Sequence, residues 1–212
     1  MGRTGAARKP PSVTPMTTVP RWGVLSALLA PLLLVGGWSV GAALRPDGYD
    51  PVRRTISDLA AVGAPHRWVM TFALLGVGFC HIVTAAALRP VAVPGRAVLA
   101  LGGVATLLVA ANPLPAAGSA GAHTAAASVA FGALACWPLL AWRRDGRPGG
   151  VLGTAPRLAA AVVLLGTLAW FVLDLGTETG GLAERCAAAL QALWPLVVVL
   201  LLRRDSAPRR RA

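Results

Sequence analysis

The chain has 212 residues, of which 56% are hydrophobic and 13% charged, and its formal net charge at pH 7 is +12. Soluble domains average about 45–50% apolar and about 25% charged residues, so this composition excludes an ordinary soluble domain. The basic residues lie at the ends of apolar runs and in the two tails, without interleaved aromatic residues, so we expect no nucleic acid partner.

The chain begins with a stretch rich in proline, threonine and basic residues that has no apolar face. Residues 1–21 are therefore predicted to form a disordered cytoplasmic tail. The apolar run that follows, at residues 22–44, is much longer than the roughly 7–15 residues of a signal-peptide core, so we interpret it as a retained first span. Residues 203–212 are predicted to form a basic cytoplasmic tail.

Six apolar runs approach or reach the length of about 20 residues that a helix needs to cross the hydrocarbon core. They lie at residues 22–44, 68–88, 97–115, 123–142, 158–175 and 184–202. The sequence Asn112-Pro113-Leu114-Pro115 breaks the end of the third run, because proline interrupts helical hydrogen bonding. Short connections favour antiparallel neighbouring helices. The prediction is an all-α integral membrane bundle of six transmembrane helices, built as one membrane domain over residues 22–202.

The distribution of basic residues predicts the orientation of this bundle. Most of the 20 Lys and Arg residues would lie on the side of the N-terminus. The other side would carry only Arg45, Arg53, Arg54, Arg67 and Arg185. Cytoplasmic loops carry the excess of basic residues, so both termini are predicted to lie inside, in a multi-pass protein of the bacterial cytoplasmic membrane with the lipid bilayer as its partner.

The longest polar segment between two apolar runs is residues 49–68, with the sequence YDPVRRTISDLAAVGAPHRW. Under the predicted orientation it faces the extracytoplasmic side. Four of the five basic residues on that side lie in or beside it, where a topology signal does not require them. We therefore expect them to have another role.

Eight polar residues are predicted at this membrane face, within this segment and at the outer ends of later spans. They are Ser57, Asp58, His66, His123, Asp174, Glu178, Glu184 and Arg185. Ionisable groups at membrane depth are costly and usually face the bundle interior and one another, so we expect these residues to line one outward-facing cavity. A neutral imidazole can act as a base, which makes His123, with Asp58 or Glu184, the candidate acid/base pair.

The predicted binding residues are Arg53, Arg54, Ser57 and Arg185, whose side chains offer hydrogen bonds, charge-assisted from the arginines, to an anionic group. Each candidate also has a structural interpretation. Ser57 and Asp58 fit the cap of a short helix, and Glu184 fits a carboxylate near a helix N-terminus.

His81 lies 13 residues into the second span, where a lone histidine is expected to hydrogen-bond to a neighbouring helix. No His or Cys follows it at three or four residues, so the sequence predicts no metal site. The three cysteines are widely spaced and give no disulfide framework. No G-x-S-x-G elbow, phosphate-binding glycine loop or H-E-x-x-H motif is present, so a serine hydrolase has no motif support.

Several motifs in this order resemble the DUF998 family of bacterial and archaeal membrane proteins, which have about six spans. They are Y-D-P-x-R-R-x-I-S-D-L-A-A-x-G before span two, the histidine that begins span four, and G-L-A-E-R at the start of span six with L-W-P after it. The resemblance covers residues 22–202 and departs at Ala60, where the family usually has glycine. It implies no activity. The family-type positions that it implies are Ser57, Asp58, His123, Glu184 and Arg185.

Three functional hypotheses follow, and the cofactor and oligomeric state stay open in all of them. In the leading one, the extracytoplasmic polar cluster binds or moves a lipid headgroup or a small anionic ligand. In the second, the protein is an intramembrane hydrolase or transferase that acts on a lipid-linked substrate through His123. In the third, it is a non-catalytic membrane scaffold whose charges only lock the loop onto the bundle.

Overall fold

The computed structural model describes residues 18–46, 48–145 and 149–206. The first 17 residues of the predicted N-terminal tail and residues 207–212 of the C-terminal tail lie outside the described residues. The described chain is helical between its connections and contains no strand, only an isolated bridge between Val91 and Arg143.

Six of the helices are long and apolar enough to cross a membrane, which confirms the predicted all-α fold of six spans. They are α1 Arg21–Ala43, α3 Trp68–Ala87, α4 Val93–Ala111, α5 Gly121–Leu140, α6 Thr154–Leu173 and α7 Gly180–Ser206. The remaining α-helix, α2, covers only Ile56–Ala60 and lies in the connection between α1 and α3.

The third long helix lies four residues earlier than the sequence predicts, at Val93–Ala111 where the run at 97–115 was expected. Its start is earlier because Pro94 occupies the first turn, where the missing N–H costs no hydrogen bond. Its end is earlier because Asn112, which precedes a proline, adopts a non-helical conformation with φ −119° and ψ 71°. The end of this helix is important for the site described below.

The long helices form a closed ring in which each packs against the next in the chain, and α7 returns to α1. Neighbours are antiparallel, so the ends of α1, α4 and α6 meet the starts of α3, α5 and α7. We call the end of the bundle that carries the connection at residues 44–67 the loop face, and the opposite end the tail face.

Close approach of helices depends on glycine at the contact between α3 and α4. A Cβ at Gly103 would lie 2.6 Å from the carbonyl oxygen of Gly78, so neither residue can be larger without moving the helices apart. Small residues of this kind allow backbone-to-backbone packing in membranes, where dispersion drives association.

The outward surface of the ring is apolar. Phe72 is 65% exposed, Phe79 63% and Leu173 83%. Only Ala160, Ala161 and Leu164 of α6 are buried, so this helix lies at the periphery. Large apolar side chains on the outside of long helices are typical of contact with a lipid bilayer.

The loop face is closed by part of the connection itself. Tyr49, Ile56 and Leu59 are buried and pack in one cluster with Met70 and other residues of the long helices. The short helix α2 is therefore part of the core, and it holds its polar residues against the mouth of the bundle.

Candidate functional site

Arg185 of α7 fastens the connection onto the bundle. Its side chain is buried, and Nη1 donates to the carbonyl oxygens of Pro51 at 2.8 Å, Arg54 at 2.8 Å and Gly181 at 3.0 Å. Nη2 donates to Oη of Tyr49 at 2.6 Å. A guanidinium has five N–H donors and no acceptor, which suits a cluster of backbone carbonyls. Arg185 therefore binds the loop of its own chain.

Tyr49 completes this fastening. Its hydroxyl donates to the carbonyl oxygen of Thr55 at 2.7 Å and also lies 3.0 Å from that of Arg54. Burial raises the pKa of the Tyr49 phenol, although the hydrogen bond from Arg185 opposes the increase. The backbones of α7 and the loop also approach closely at Gly181, because any side chain there would overlap the Arg54 carbonyl. No pattern in the sequence had indicated this role for Tyr49.

Asp58 and Thr55 form a capping box at the start of α2. The Thr55 hydroxyl accepts from the Asp58 N–H at 3.2 Å, and the Asp58 carboxylate accepts from the Thr55 N–H at 3.0 Å. Such reciprocal bonds satisfy backbone donors that the first turn leaves free. In the described structure no hydrogen bond joins Asp58 to His123 or Glu184. Its nearest basic partner is Arg54, with Nε at 3.9 Å.

Glu184 connects α7 to α2. It is buried, its Oε2 accepts a hydrogen bond from the Ile56 N–H, and its Oε1 lies 3.5 Å from Oγ of Ser57. The same Ser57 Oγ lies 3.1 Å from Nε2 of His123 on α5. Ser57 has one hydroxyl proton to donate, and His123 is the nearer acceptor. Three residues from α2, α5 and α7 thus meet at one point.

The end of α4 determines which nitrogen of His123 carries the proton. Its Nδ1 lies 2.8 Å from the carbonyl oxygen of Asn112. A carbonyl oxygen only accepts, so we assign the proton of the neutral imidazole to Nδ1 and leave Nε2 unprotonated. His123 is therefore oriented with a free acceptor toward the Ser57 hydroxyl. A hydroxyl, a base and a group that orients the base are the parts of an activated nucleophile.

The remaining predicted site residues make their contacts elsewhere on the loop face. Arg53 forms ion pairs with Asp50 at 3.5 Å and with Glu178, at the exposed rim of the loop face. The Asp174 carboxylate accepts a hydrogen bond from the Thr179 hydroxyl, in the connection between α6 and α7. His66 is exposed.

A cavity of about 70 Å³ extends from Ser57 and Glu184 into the bundle. Its other lining residues include His81 on α3, Thr106 on α4 and Gln191 on α7. The walls between Ser57 and Glu184 at one end and His81 and Gln191 at the other are apolar. They are formed by Leu34, Leu74, Val77, Val109, Phe131 and Leu134 with several alanines. The cavity therefore runs between a polar mouth and a polar inner end.

His81 does not make the interhelical hydrogen bond that the sequence analysis expected. Neither of its ring nitrogens has a partner at bonding geometry among the described residues, and the side chain is 1% exposed. The expectation was wrong because the neighbouring surface of α4 carries Gly103, which offers no side chain to bond.

Comparison with known proteins identifies the family. The family model described as "Protein of unknown function (DUF998)" matches residues 28–201. The chain belongs to the DUF998 family. No curated protein and no solved structure matches it. The match extends from α1 into α7 and includes Ser57, His123 and Glu184, which confirms the resemblance seen in the sequence.

The DUF998 chain is thus a multi-pass membrane protein, and its family description gives no activity. In the described residues no three His, Cys, Asp or Glu side chains gather into a metal-binding group. What its geometry offers chemically is a serine hydroxyl beside an oriented imidazole, at the mouth of an apolar cavity.

Proposed function

We propose that this protein hydrolyses or transfers an ester-linked group of a lipid substrate, with Ser57 as the nucleophile and His123 as the general base. The observation that carries the proposal is the orientation of His123. Its Nδ1 is 2.8 Å from the Asn112 carbonyl and its Nε2 is 3.1 Å from the Ser57 hydroxyl. Nucleophile and base are within bonding distance, and the base is held by a third group.

The reaction would proceed in two steps. His123 Nε2 takes the hydroxyl proton while Ser57 Oγ bonds to the ester carbonyl carbon. The C–O bond to the leaving group then breaks as the imidazolium protonates the departing alkoxide oxygen, which leaves as an alcohol. This gives an acyl group on Ser57. Water or an acceptor alcohol, deprotonated by His123, then attacks the acyl carbon and restores the Ser57 hydroxyl. Glu184 is a positioning residue in this scheme, since it holds α2 through the Ile56 N–H.

A lipid substrate is favoured by what surrounds Ser57. Ser57 itself lines the largely apolar cavity, and Arg53 and Arg54 lie on the same loop. The Arg53 side chain is 60% exposed and its partner Glu178 72%, and exposed ion pairs contribute only about 0–1 kcal/mol. An anionic headgroup can therefore replace Glu178 as the partner of Arg53. Headgroup binding becomes the recognition step of the enzyme.

The basic residues support an orientation with the loop face outside the cytoplasmic membrane of a bacterium and both termini in the cytoplasm. Labelling of a His66→Cys variant in intact cells checks this orientation. A membrane-impermeant maleimide should modify this exposed position more than it modifies the unsubstituted chain. Labelling only after the cells are lysed would reverse the orientation.

The decisive experiment combines a serine-reactive fluorophosphonate with a panel of lipid esters, applied to the full chain in lipid nanodiscs. We expect the reagent to label Ser57 and to stop release of fatty acid. Ser57→Ala should lose both labelling and turnover. The matched control is Ser128→Ala, on the exposed surface of α5, which should keep both.

The scaffold hypothesis predicts a different result. Ser57→Ala would then lower the unfolding temperature, and the unsubstituted chain would show neither labelling at Ser57 nor turnover of any ester in the panel. That combination would reject the enzyme proposal.

A further inference from the structure

The inner end of the cavity carries polar atoms that have no partner in the described chain. They are Oε1 of Gln191 and both ring nitrogens of His81, whose ring lies near the backbone of Val77 on its own helix but does not reach hydrogen-bond geometry with it. His81 and Gln191 are each 1% exposed, and both line the cavity. The Gln191 amide is held in place, because its Nε2 donates to the carbonyl oxygen of Phe131 at 3.2 Å. Its Oε1 is therefore a fixed acceptor at the end of an apolar passage.

Buried polar atoms without partners are costly in any protein, and more so at the depth of a bilayer. A molecule that enters this cavity gains most if it supplies those partners. A neutral imidazole offers one donor and one acceptor, and Oε1 of an amide only accepts. The complementary group must therefore both donate and accept, as a hydroxyl does.

The dimensions of the cavity limit the size of that molecule. Gln191 follows Glu184 by seven residues on α7, which at 1.5 Å per residue is roughly 10 Å along the helix axis. A water-sized group needs roughly 10–15 Å³, so the cavity of about 70 Å³ has room for about five to seven such groups. The cavity can therefore enclose the end of a short, flexible chain, and the rest of a longer chain would extend past its mouth.

The lining also determines the chemistry of the chain. The walls between mouth and inner end are aliphatic or aromatic, and no Lys or Arg lines the cavity. An anion would enter without a counter-ion, and a cation at the inner end would lie away from Glu184, the one acidic residue of the lining. A plain hydrocarbon would leave the atoms of His81 and Gln191 unpaired. A neutral chain with a hydroxyl at its inner end satisfies both conditions.

We propose that the cavity binds a short aliphatic chain that carries a hydroxyl group, which donates to Gln191 Oε1 and accepts from the ring N–H of His81. The chain can belong to a free alcohol or to the acyl part of an ester. The assignment of this chain to the substrate rests on the proposed function of Ser57. The preference of the cavity for a hydroxyl group does not depend on that function.

The test uses two photoreactive probes that differ only in the hydroxyl group, a diazirine-bearing octanol and the matching diazirine-bearing octane. Both are applied to the Ser57→Ala variant in nanodiscs, so that the result does not depend on catalysis. Adducts are mapped by mass spectrometry at the cavity residues Val77 and Leu134. They are normalised to adducts at the exposed Phe72 and Phe79, which both probes reach through the lipid.

We expect the normalised cavity labelling by the octanol to exceed that by the octane about fivefold, the ratio that one net hydrogen bond gives. Gln191→Leu together with His81→Leu should reduce this ratio to about one. Ala188→Leu, which fills the cavity and keeps both polar residues, should reduce labelling by both probes. Thermal unfolding of each variant shows whether it is folded.

Three outcomes would overturn the inference. They are equal cavity labelling by the two probes, a preference for the octanol that persists when Gln191→Leu and His81→Leu are combined, and no cavity labelling at all, which would indicate that only water enters. The two sources of the hydroxyl chain are separated in the unsubstituted protein. Faster hydrolysis of hydroxyacyl esters than of matched plain acyl esters indicates the acyl chain, and equal rates with retained octanol labelling indicate a free alcohol.

Failure of the enzyme proposal gives a distinct pattern. The fluorophosphonate would then leave Ser57 unlabelled, while the octanol would still label the cavity of the Ser57→Ala variant.

Discussion

Nε2 of His123 lies 3.1 Å from Oγ of Ser57, although the two residues are 66 positions apart in the chain. The contact joins the start of α5 to the short helix α2, which is itself held by Glu184 and Arg185 of α7. Every element that positions this pair also has a structural reason to be there. Single substitutions can therefore separate side chains that hold the loop from side chains that carry out chemistry.

His123→Gln should remove the base and leave the fold intact. An amide cannot take a proton from Ser57, and general-base catalysis typically contributes about 10²–10⁴-fold to the rate, so turnover should fall by that factor. Ester hydrolysis and thermal unfolding are measured together. Thr124→Ala, at the exposed neighbouring position, is the control and should keep its activity. Turnover of His123→Gln within a factor of two of the unsubstituted chain would contradict the role of His123.

Arg185→Lys should loosen the connection at the loop face. An ammonium group cannot reach the carbonyls of Pro51 and Arg54 and the Tyr49 hydroxyl at once, and the loss of a hydrogen bond to a charged group costs about 2 kcal/mol. We expect lower thermal stability and faster amide hydrogen exchange at residues 49–56. Arg53→Lys provides the comparison, because its exposed ion pairs should be worth less than about 1 kcal/mol. Equal effects of the two substitutions would show that Arg185 does not fasten the loop.

Asp58 distinguishes a capping carboxylate from a catalytic one. Asp58→Asn keeps an oxygen that accepts from the Thr55 N–H, so stability and turnover should both stay close to those of the unsubstituted chain. Asp58→Ala removes the cap and should cost about 1 kcal/mol, with turnover falling only as far as the folded population does. If Asp58→Asn lost tenfold in turnover at unchanged unfolding temperature, Asp58 would be part of the chemistry.

The helix boundaries show where sequence reasoning was sufficient and where it was not. The motif at Asn112 to Pro115 correctly indicated a break, but the break was placed at the end of a run that begins too late. Pro94 was not recognised as a residue of the first turn. This boundary matters for the site, because the earlier end of α4 frees the Asn112 carbonyl that orients His123.

The sequence by itself determined the class of this protein and the number of its long helices. A hydrocarbon core accepts only segments whose backbone groups are bonded internally, so runs of sufficient apolar length must be helices. It also placed Ser57, His123 and Glu184 at one end of the bundle, since each follows or precedes such a run. These conclusions depend only on the length of each apolar run and on the position of a residue relative to the end of that run, and both are read directly from the sequence.

Only the tertiary structure decided what each polar residue does. Arg185 and Glu184 are adjacent in the sequence, yet one binds the loop carbonyls and the other reaches α2. His81 and Gln191 lie on different helices, and only packing brings them to the same cavity. An N–H···O hydrogen bond requires a donor–acceptor distance of about 2.7–3.2 Å. Such distances between helices follow from side-chain packing around the whole ring, which no local pattern of residues specifies.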